Sequence, residues 1–493
     1  GADLIIEKRP ITLTADTVSK VYGDADPGLS VSVTGGSLAT AAVQDSPGEV
    51  TGTLTRAAGE DAGRYDVQLG NGSRAANYAI TFATDNEAFT IDPRPITLSA
   101  DNRTKTYGES LDLGDSAFSV GGDGLANGDT LTAVTLGSKT GAATTLGANA
   151  GEYPGEITVA GATGANGFQT SNYTITYEAG DLTIDPKPLT VSAEAKTKTY
   201  GNTDPALTFT TSAALVGTDG VTGSLARDPG EEVGTYAIGK GNLAIDDGNS
   251  GNNYDLTYQA ADLTIAQRSL VLAADPVAKT YGSNDPTLSV SVTGGSLATD
   301  AVQDSLGEVT GTLSRTPGED AGTYDVQLGN GSRAANYAIT FATDNEAFTV
   351  EPRPLTLSAD DRTKTYGESL ELGDSAFSVG GSGLANGEQV TAVTLGSATG
   401  AATEKGANAG EYPGEITAAG ATGTNGFQTS NYAITYGAGD LTIDPKALTV
   451  IADAQTKTYG DTDPALNYAA NNELVDGDSF TGSLARASGE EVG

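Results

Sequence analysis

The chain has 493 residues, 64 acidic and 26 basic side chains, a formal net charge of -38, and no histidine, cysteine, methionine or tryptophan. That inventory removes the side chains on which most nucleophilic, redox and transition-metal chemistry depends, so no catalytic residue and no cofactor is expected. The acidic balance repels nucleic acid, and no run of 18 apolar residues is available for membrane insertion.

Taken from the start, residues 1–7 resemble a stretch 259 residues further on and are expected to be the last strand of a preceding C-type module. A Lys-x-Tyr-Gly mark then heads every module, at Tyr22-Gly23, Tyr107-Gly108, Tyr200-Gly201, Tyr281-Gly282, Tyr366-Gly367 and Tyr459-Gly460. The tyrosines lie 85, 93, 81, 85 and 93 residues apart, so three module types run in the order A, B, C, A, B, C. The boundaries are 8–92 for A, 93–185 for B, 186–266 for C, 267–351 for the second A, 352–444 for the second B and 445–493 for an incomplete C. Val67 to Thr90 is identical to Val326 to Thr349, whereas adjacent modules differ clearly.

Module A begins with the alternating Ile11-Thr12-Leu13-Thr14, the pattern of a half-buried strand. Further strands are predicted at Leu29 to Thr34, Val50 to Thr55, Tyr65 to Leu69, Tyr78 to Phe82 and Ala88 to Ile91, with a single short helix within Ser37 to Gln44. Asp26-Pro27, Gly35-Gly36, Pro47-Gly48 and Asn71-Gly72 supply turns. Module B keeps this scaffold with a glycine-rich segment around Gly161 to Gly167, expected as a longer loop. Module C carries strands at Leu207 to Thr210, Thr235 to Ile238 and Tyr254 to Tyr258, and a turn or helix at Ala213 to Asp219. Last strands run into first strands through Asp92-Pro93-Arg94-Pro95 and Asp185-Pro186-Lys187-Pro188, with no flexible linker. The reading is an all-β tandem array of small β-sandwich-like, immunoglobulin-like modules forming an elongated rod. The alternative is β-grasp-like modules with one short helix each.

Candidate sites are few. The Tyr-Gly marks and the tyrosines after Gly-x and after Asn read as core anchors, with a ladder of sugar-stacking platforms as the competing role. Asp24, Asp26, Asp461 and Asp463 offer oxygen ligands that suit calcium, against their ordinary use in turns before proline. The pairs Glu60-Asp61, Glu231-Glu232, Glu319-Asp320 and Glu490-Glu491 read as solvated turns, because neighbouring carboxylates point apart rather than across a cleft.

The order Lys-x-Tyr-Gly, Asp-Pro-x-Leu, Gly-x-Tyr, Asn-Tyr-x-Ile/Leu-Thr and a terminal Leu-Thr-Ile resembles the MBG/YDG-type repeat modules of large bacterial surface proteins. It is clearest at Lys198 to Gly201, Asp204 to Leu207, Gly234 to Tyr236, Asn253 to Thr257 and Leu263 to Ile265. The B modules depart from it by lacking Asp-Pro. The resemblance implies an exported, non-catalytic stalk or filament of an adhesin, of the kind that includes filamentous-haemagglutinin-like secreted proteins. Its expected setting is extracellular, for attachment to surfaces or between cells in a biofilm. Expected partners are neighbouring modules of the same chain, with other copies of itself and surface glycans or matrix as further ones. A laterally assembling fibre or sheath, and a repetitive glycan- or calcium-binding array, are the alternatives.

Overall fold

A computed structural model describes residues 3–493. It divides into two compact units, the first holding 3–197, 205–230 and 235–264, the second 198–204, 231–234 and 265–493. In both, the regular secondary structure is almost wholly strand.

In the first unit, module A forms β1 (Arg9–Ala15), β2 (Val18–Val21), β3 (Val31–Gly36), helix α1 (Pro47–Thr51), β4 (Thr55–Arg56), β5 (Gly63–Tyr65), β6 (Val67–Gln68), β7 (Tyr78–Thr81) and β8 (Phe89–Asp92). One sheet has the order β3-β1-β7 and its companion β2-β8-β5. The chain changes sheet between Ala15 and Val18, so one nearly continuous run feeds both layers. The terminal strands are paired in parallel: Ile11 faces Ile80, and Lys20 faces Ile91. Alternation places Ile11 and Leu13 inward, where they meet Val50 and Tyr78, while Phe89 and Ile91 fill the other side at 0 % and 1 % exposure. Burial of each such side chain contributes about 1.5–3 kcal/mol.

Module B follows with β9 (Arg94–Ala100), β10 (Arg103–Thr106), β11 (Phe118–Gly122), β12 (Thr130–Ser138), β13 (Gly151–Ala165), β14 (Tyr173–Glu178) and β15 (Gly180–Asp185). The layers are β11-β9-β14 and β10-β15-β13-β12. In module C, Lys187–Ala193 lies between Phe209–Thr211 and Tyr254–Gln259 in the same manner. A single apolar cluster runs from Ala15 and Phe89 through Leu98 and Leu182 to Leu243 and Leu263 without a break at the module boundaries. The second unit repeats the scheme: Arg268–Ala274 pairs with Val290–Gly295 and Tyr337–Phe341, and Arg353–Ala359 with Phe377–Gly381 and Tyr432–Gly437.

Three expectations change. The alternating Val50 to Thr55 is not a strand at its start: α1 spans Pro47–Thr51, because Ser46 and Glu49 form a capping box, Pro47 occupies the first turn, and Gly52 at φ 69° ends it. The alanine-rich Ser37 to Gln44 is non-helical, and its loop is held by the Ala39 amide donating to the Tyr78 hydroxyl at 2.8 Å. Gly161 and Gly164 lie inside the 15-residue β13 rather than in a loop. The bulged register against β12 uses the left-handed φ of 58° at Gly161, and a Cβ at Gly164 would lie 2.2 Å from the Thr130 carbonyl oxygen. Of the segment expected over 1–7 as the last strand of a preceding module, residues 1 and 2 lie outside the described residues; 3–7 pair with no strand of this chain, and Leu4, Ile5 and Ile6 are exposed.

Candidate functional site

The side chains that recur in every module meet at the joints between modules. The turn after β2 projects Tyr22 out of module A and against module B. There its ring lies edge-on to Tyr173 at 5.5 Å and 73°, and both hydroxyls donate to the Asp129 carboxylate, at 3.1 and 2.7 Å. Asp129 is 6 % exposed, so the two phenols satisfy a charge that burial would otherwise penalise. The next joint repeats the arrangement with Tyr107, Tyr254 and Asp219 at 2.9 and 2.7 Å, the rings 5.4 Å apart. In the second unit Tyr281 and Tyr432 share Glu388, and Tyr366 reaches Asp478 at 3.1 Å. Tyr200 packs edge-on to Tyr337 at 5.5 Å, but there Asp304 takes only the Tyr337 hydroxyl, at 2.8 Å, and the buried Tyr200 hydroxyl is left unpaired.

Burial, with the carboxylate adding to it, pushes the Tyr107, Tyr173, Tyr337 and Tyr432 hydroxyls up to about 12, and Tyr200 and Tyr254 higher still. These tyrosines are therefore held neutral, and all of them but Tyr200 donate a hydrogen bond. None of Tyr22, Tyr107, Tyr200 or Tyr281 is more than 4 % exposed, which leaves no face for sugar stacking. Tyr459, in contrast, is 67 % exposed.

At five of the six Tyr-Gly marks the glycine has two reasons to be glycine. Gly23, Gly108, Gly201, Gly282 and Gly367 have φ between 78° and 87°. A Cβ at Gly23 would also lie 2.2 Å from the Ala126 Cβ of the next module, and one at Gly108 2.5 Å from Val216.

A second contact uses the Asn of Asn-Tyr. The Asn172 side-chain oxygen accepts from the Ala62 amide at 2.7 Å, while its Nδ2 donates to Asp61 at 2.9 Å. Asn253 does the same for Ala150 and Asn149 (2.8 and 3.1 Å), Asn336 for Val233 and Glu232, and Asn431 for Ala321 and Asp320 (both 2.8 Å). The tyrosine of Gly-x-Tyr braces this loop: Tyr65, Tyr153, Tyr324 and Tyr412 each donate to the carbonyl four residues earlier, on Asp61, Asn149, Asp320 and Asn408. Asp61, Glu232 and Asp320, expected as solvated turn residues, are thus joint residues. Spacing alone hides this role, because their partners lie about a hundred residues away.

The acidic turns are occupied by cations of the protein itself. Lys20, 7 % exposed, donates to Asp26 at 2.5 Å and Glu60 at 2.7 Å, and Arg56 also grips Asp26 at 2.7 Å. Arg56 and then Lys20 hold the Asp26 carboxyl below the usual range, and Arg315 and Lys279 bring Asp285 down to about 2. Asp24 pairs with Arg94 at 3.1 Å, and Asp463 with Lys457 and Arg486 at 2.5 and 2.8 Å; the Asp461 carbonyl takes Lys457 at 3.3 Å. Of the calcium candidates, Asp26 and Asp463 therefore each face two cations and Asp24 one. No group of three or more acidic side chains is arranged to hold a metal among the described residues. In the B modules, which lack Asp-Pro, Lys105 is instead capped by the carbonyls of Glu109 and Thr145 at 3.0 and 2.5 Å, and burial lowers its pKa.

Repeating β-modules whose signature residues build their mutual joints define a tandem-repeat β-protein. Six consecutive segments, 11–90, 96–183, 189–264, 270–349, 355–442 and 448–493, match the MBG domain (YGX type), and the chain belongs to that family. No curated protein matches it.

Proposed function

We propose that the chain is a non-catalytic stalk segment of a bacterial extracellular adhesin, a stiff repeat rod that carries attachment to surfaces or between cells. The observation that supports this reading most is the use of the signature residues. Tyr22-Gly23, Asp61-Ala62 and Asn172-Tyr173 join modules rather than line a cleft, and the residues at the later joints do likewise. A binding array would instead leave aromatic faces or carboxylates free for ligand. Junctions without flexible linkers, and in the first unit a core continuous across the module boundaries, suit a part that transmits position and force. The high net negative charge opposes lateral association of exposed strand edges. The test is immunoelectron microscopy of intact cells producing the parent protein, with antibody raised against this chain. Label standing away from the envelope on single projections is expected; label confined to the cell interior would refute the proposal, and label on bundled fibres would favour a sheath.

A further inference from the structure

Three kinds of joint occur, and each differs at the same two positions. One is the residue that presents its side chain to the Asn of the next module; the other lies three residues before that Asn. In the A-to-B joint these are Asp61 and Gln169: the carboxylate receives Asn172 Nδ2 at 2.9 Å and Gln169 Nε2 at 3.2 Å. Its second copy, Asp320 with Asn431 and Gln428, has the same bonds at 2.8 and 3.3 Å. In the C-to-A joint Glu232 receives Asn336 and the Arg333 guanidinium. In the B-to-C joint the pair is Asn149 and Ser250. Only Asn253 reaches Asn149, at 3.1 Å, while Asn249 donates back to Asn253 at 2.9 Å and the buried Asp247 lies behind, held by the Asn249, Gly251 and Asn253 amides.

We propose that these positions are a key that selects which module type a socket accepts. The A socket offers a cation and a carboxamide, and takes the long carboxylate of a C module. The B socket offers two carboxamides, and takes the short carboxylate of an A module. The C socket offers one carboxamide backed by a carboxylate, and takes the neutral side chain of a B module. A carboxylate presented to the C socket would find one donor where it needs two, close to the Asp247 charge. The gap is tuned alongside: Gly23, Gly201 and Gly282 abut Ala126, Ala298 and Ala385, whereas Gly108 and Gly367 abut Val216 and Val475. The partner that such a key excludes is a wrong module of the same chain or of a second copy. Copies of one type carry the same key, as Asp61 and Asp320 do, so the key sorts module types and not copies of one type. The inference concerns the joints alone and stands whether or not the protein is a surface stalk.

The test uses the full chain and hydrogen exchange at the Ala150 amide, the proton donated to Asn253. Asn149→Glu, which presents the C-type key to a C socket, is expected to speed exchange at Ala150 about tenfold at neutral pH, corresponding to about 1.4 kcal/mol. Asn149→Gln, of equal length and neutral, is expected to stay within about threefold of wild type, since one neutral hydrogen bond is at stake. Lowering the pH to about 4 should bring the Asn149→Glu rate toward that of Asn149→Gln as the introduced carboxyl takes up a proton. In the A socket, Arg333→Glu should speed exchange at Val233, and adding Glu232→Arg should restore protection. Equal effects of Asn149→Glu and Asn149→Gln, or no restoration by the reversed pair, would overturn the key.

Discussion

Replacing Gly23 by alanine separates the joint from the module behind it. At φ 85° the substitution carries left-handed strain of about 1–2 kcal/mol. The new Cβ would also stand 2.2 Å from the Ala126 Cβ, an atom fixed to the backbone that cannot turn away. Relief requires the two modules to part by about 1.5 Å to reach ordinary carbon contact. That displacement carries the Tyr22 to Asp129 bond (3.1 Å), the Ala62 to Asn172 bond (2.7 Å) and the Asn172 to Asp61 bond (2.9 Å) beyond hydrogen-bonding range. At about 1 kcal/mol each the joint loses about 3 kcal/mol, which is about two orders of magnitude in its opening equilibrium. Gly141→Ala is the control: its φ is also 85°, but the nearest atom to a new Cβ is a Thr145 methyl at 4.0 Å. Hydrogen exchange at the Ala62 amide, followed by mass spectrometry, should accelerate about a hundredfold in Gly23→Ala and remain near wild type in Gly141→Ala. Equal protection of Ala62 in the two variants would refute the reasoning.

Other outcomes follow from the same geometry. Asn172→Ala strands the Ala62 amide and should cost about 1–3 kcal/mol in thermal or denaturant unfolding of the first unit. Tyr200→Phe should cost less than Tyr107→Phe, because the Tyr200 hydroxyl has no hydrogen-bond partner to lose whereas that of Tyr107 binds Asp219; unfolding midpoints of the two variants decide it. Tyr107, Tyr173, Tyr337 and Tyr432 have folded pKa values raised from 10.0 to about 12, so their contribution is full below pH 10 and is lost as the pH rises through about 12. Phenolate absorbance and circular dichroism should therefore change together in that window. Asp285, lowered to about 2, contributes above about pH 4 and loses its contribution as the pH falls toward 2; Asp285→Asn should flatten that part of the acid stability curve.

Much of this was legible in the sequence. Alternation at Ile11 to Thr14 and Tyr78 to Phe82 located core strands, because a pleated chain has period two whatever its partner. The recurrence of Tyr-Gly located the modules, and a glycine held at positive φ is a local demand that sequence can suggest. What escaped was long-range. Nothing near Asp61 indicates that Asn172 will bind it, and nothing near Tyr22 indicates Asp129. The Val50 to Thr55 alternation misled because a capping box at Ser46 and Glu49 outweighed it, and the glycines of β13 misled because they admit a bulge rather than end a strand.

The signature residues lock adjacent modules into a joint whose stiffness can be measured directly. The chain has no cysteine, so spin labels on Ala79→Cys and Thr174→Cys, exposed strand positions on either side of the first joint, report that joint alone. Pulsed electron–electron resonance should give one narrow distance distribution for the wild-type background and a broadened one with Gly23→Ala. A broad distribution in the wild-type background, unchanged by Gly23→Ala, would mean that these residues do not stiffen the joint.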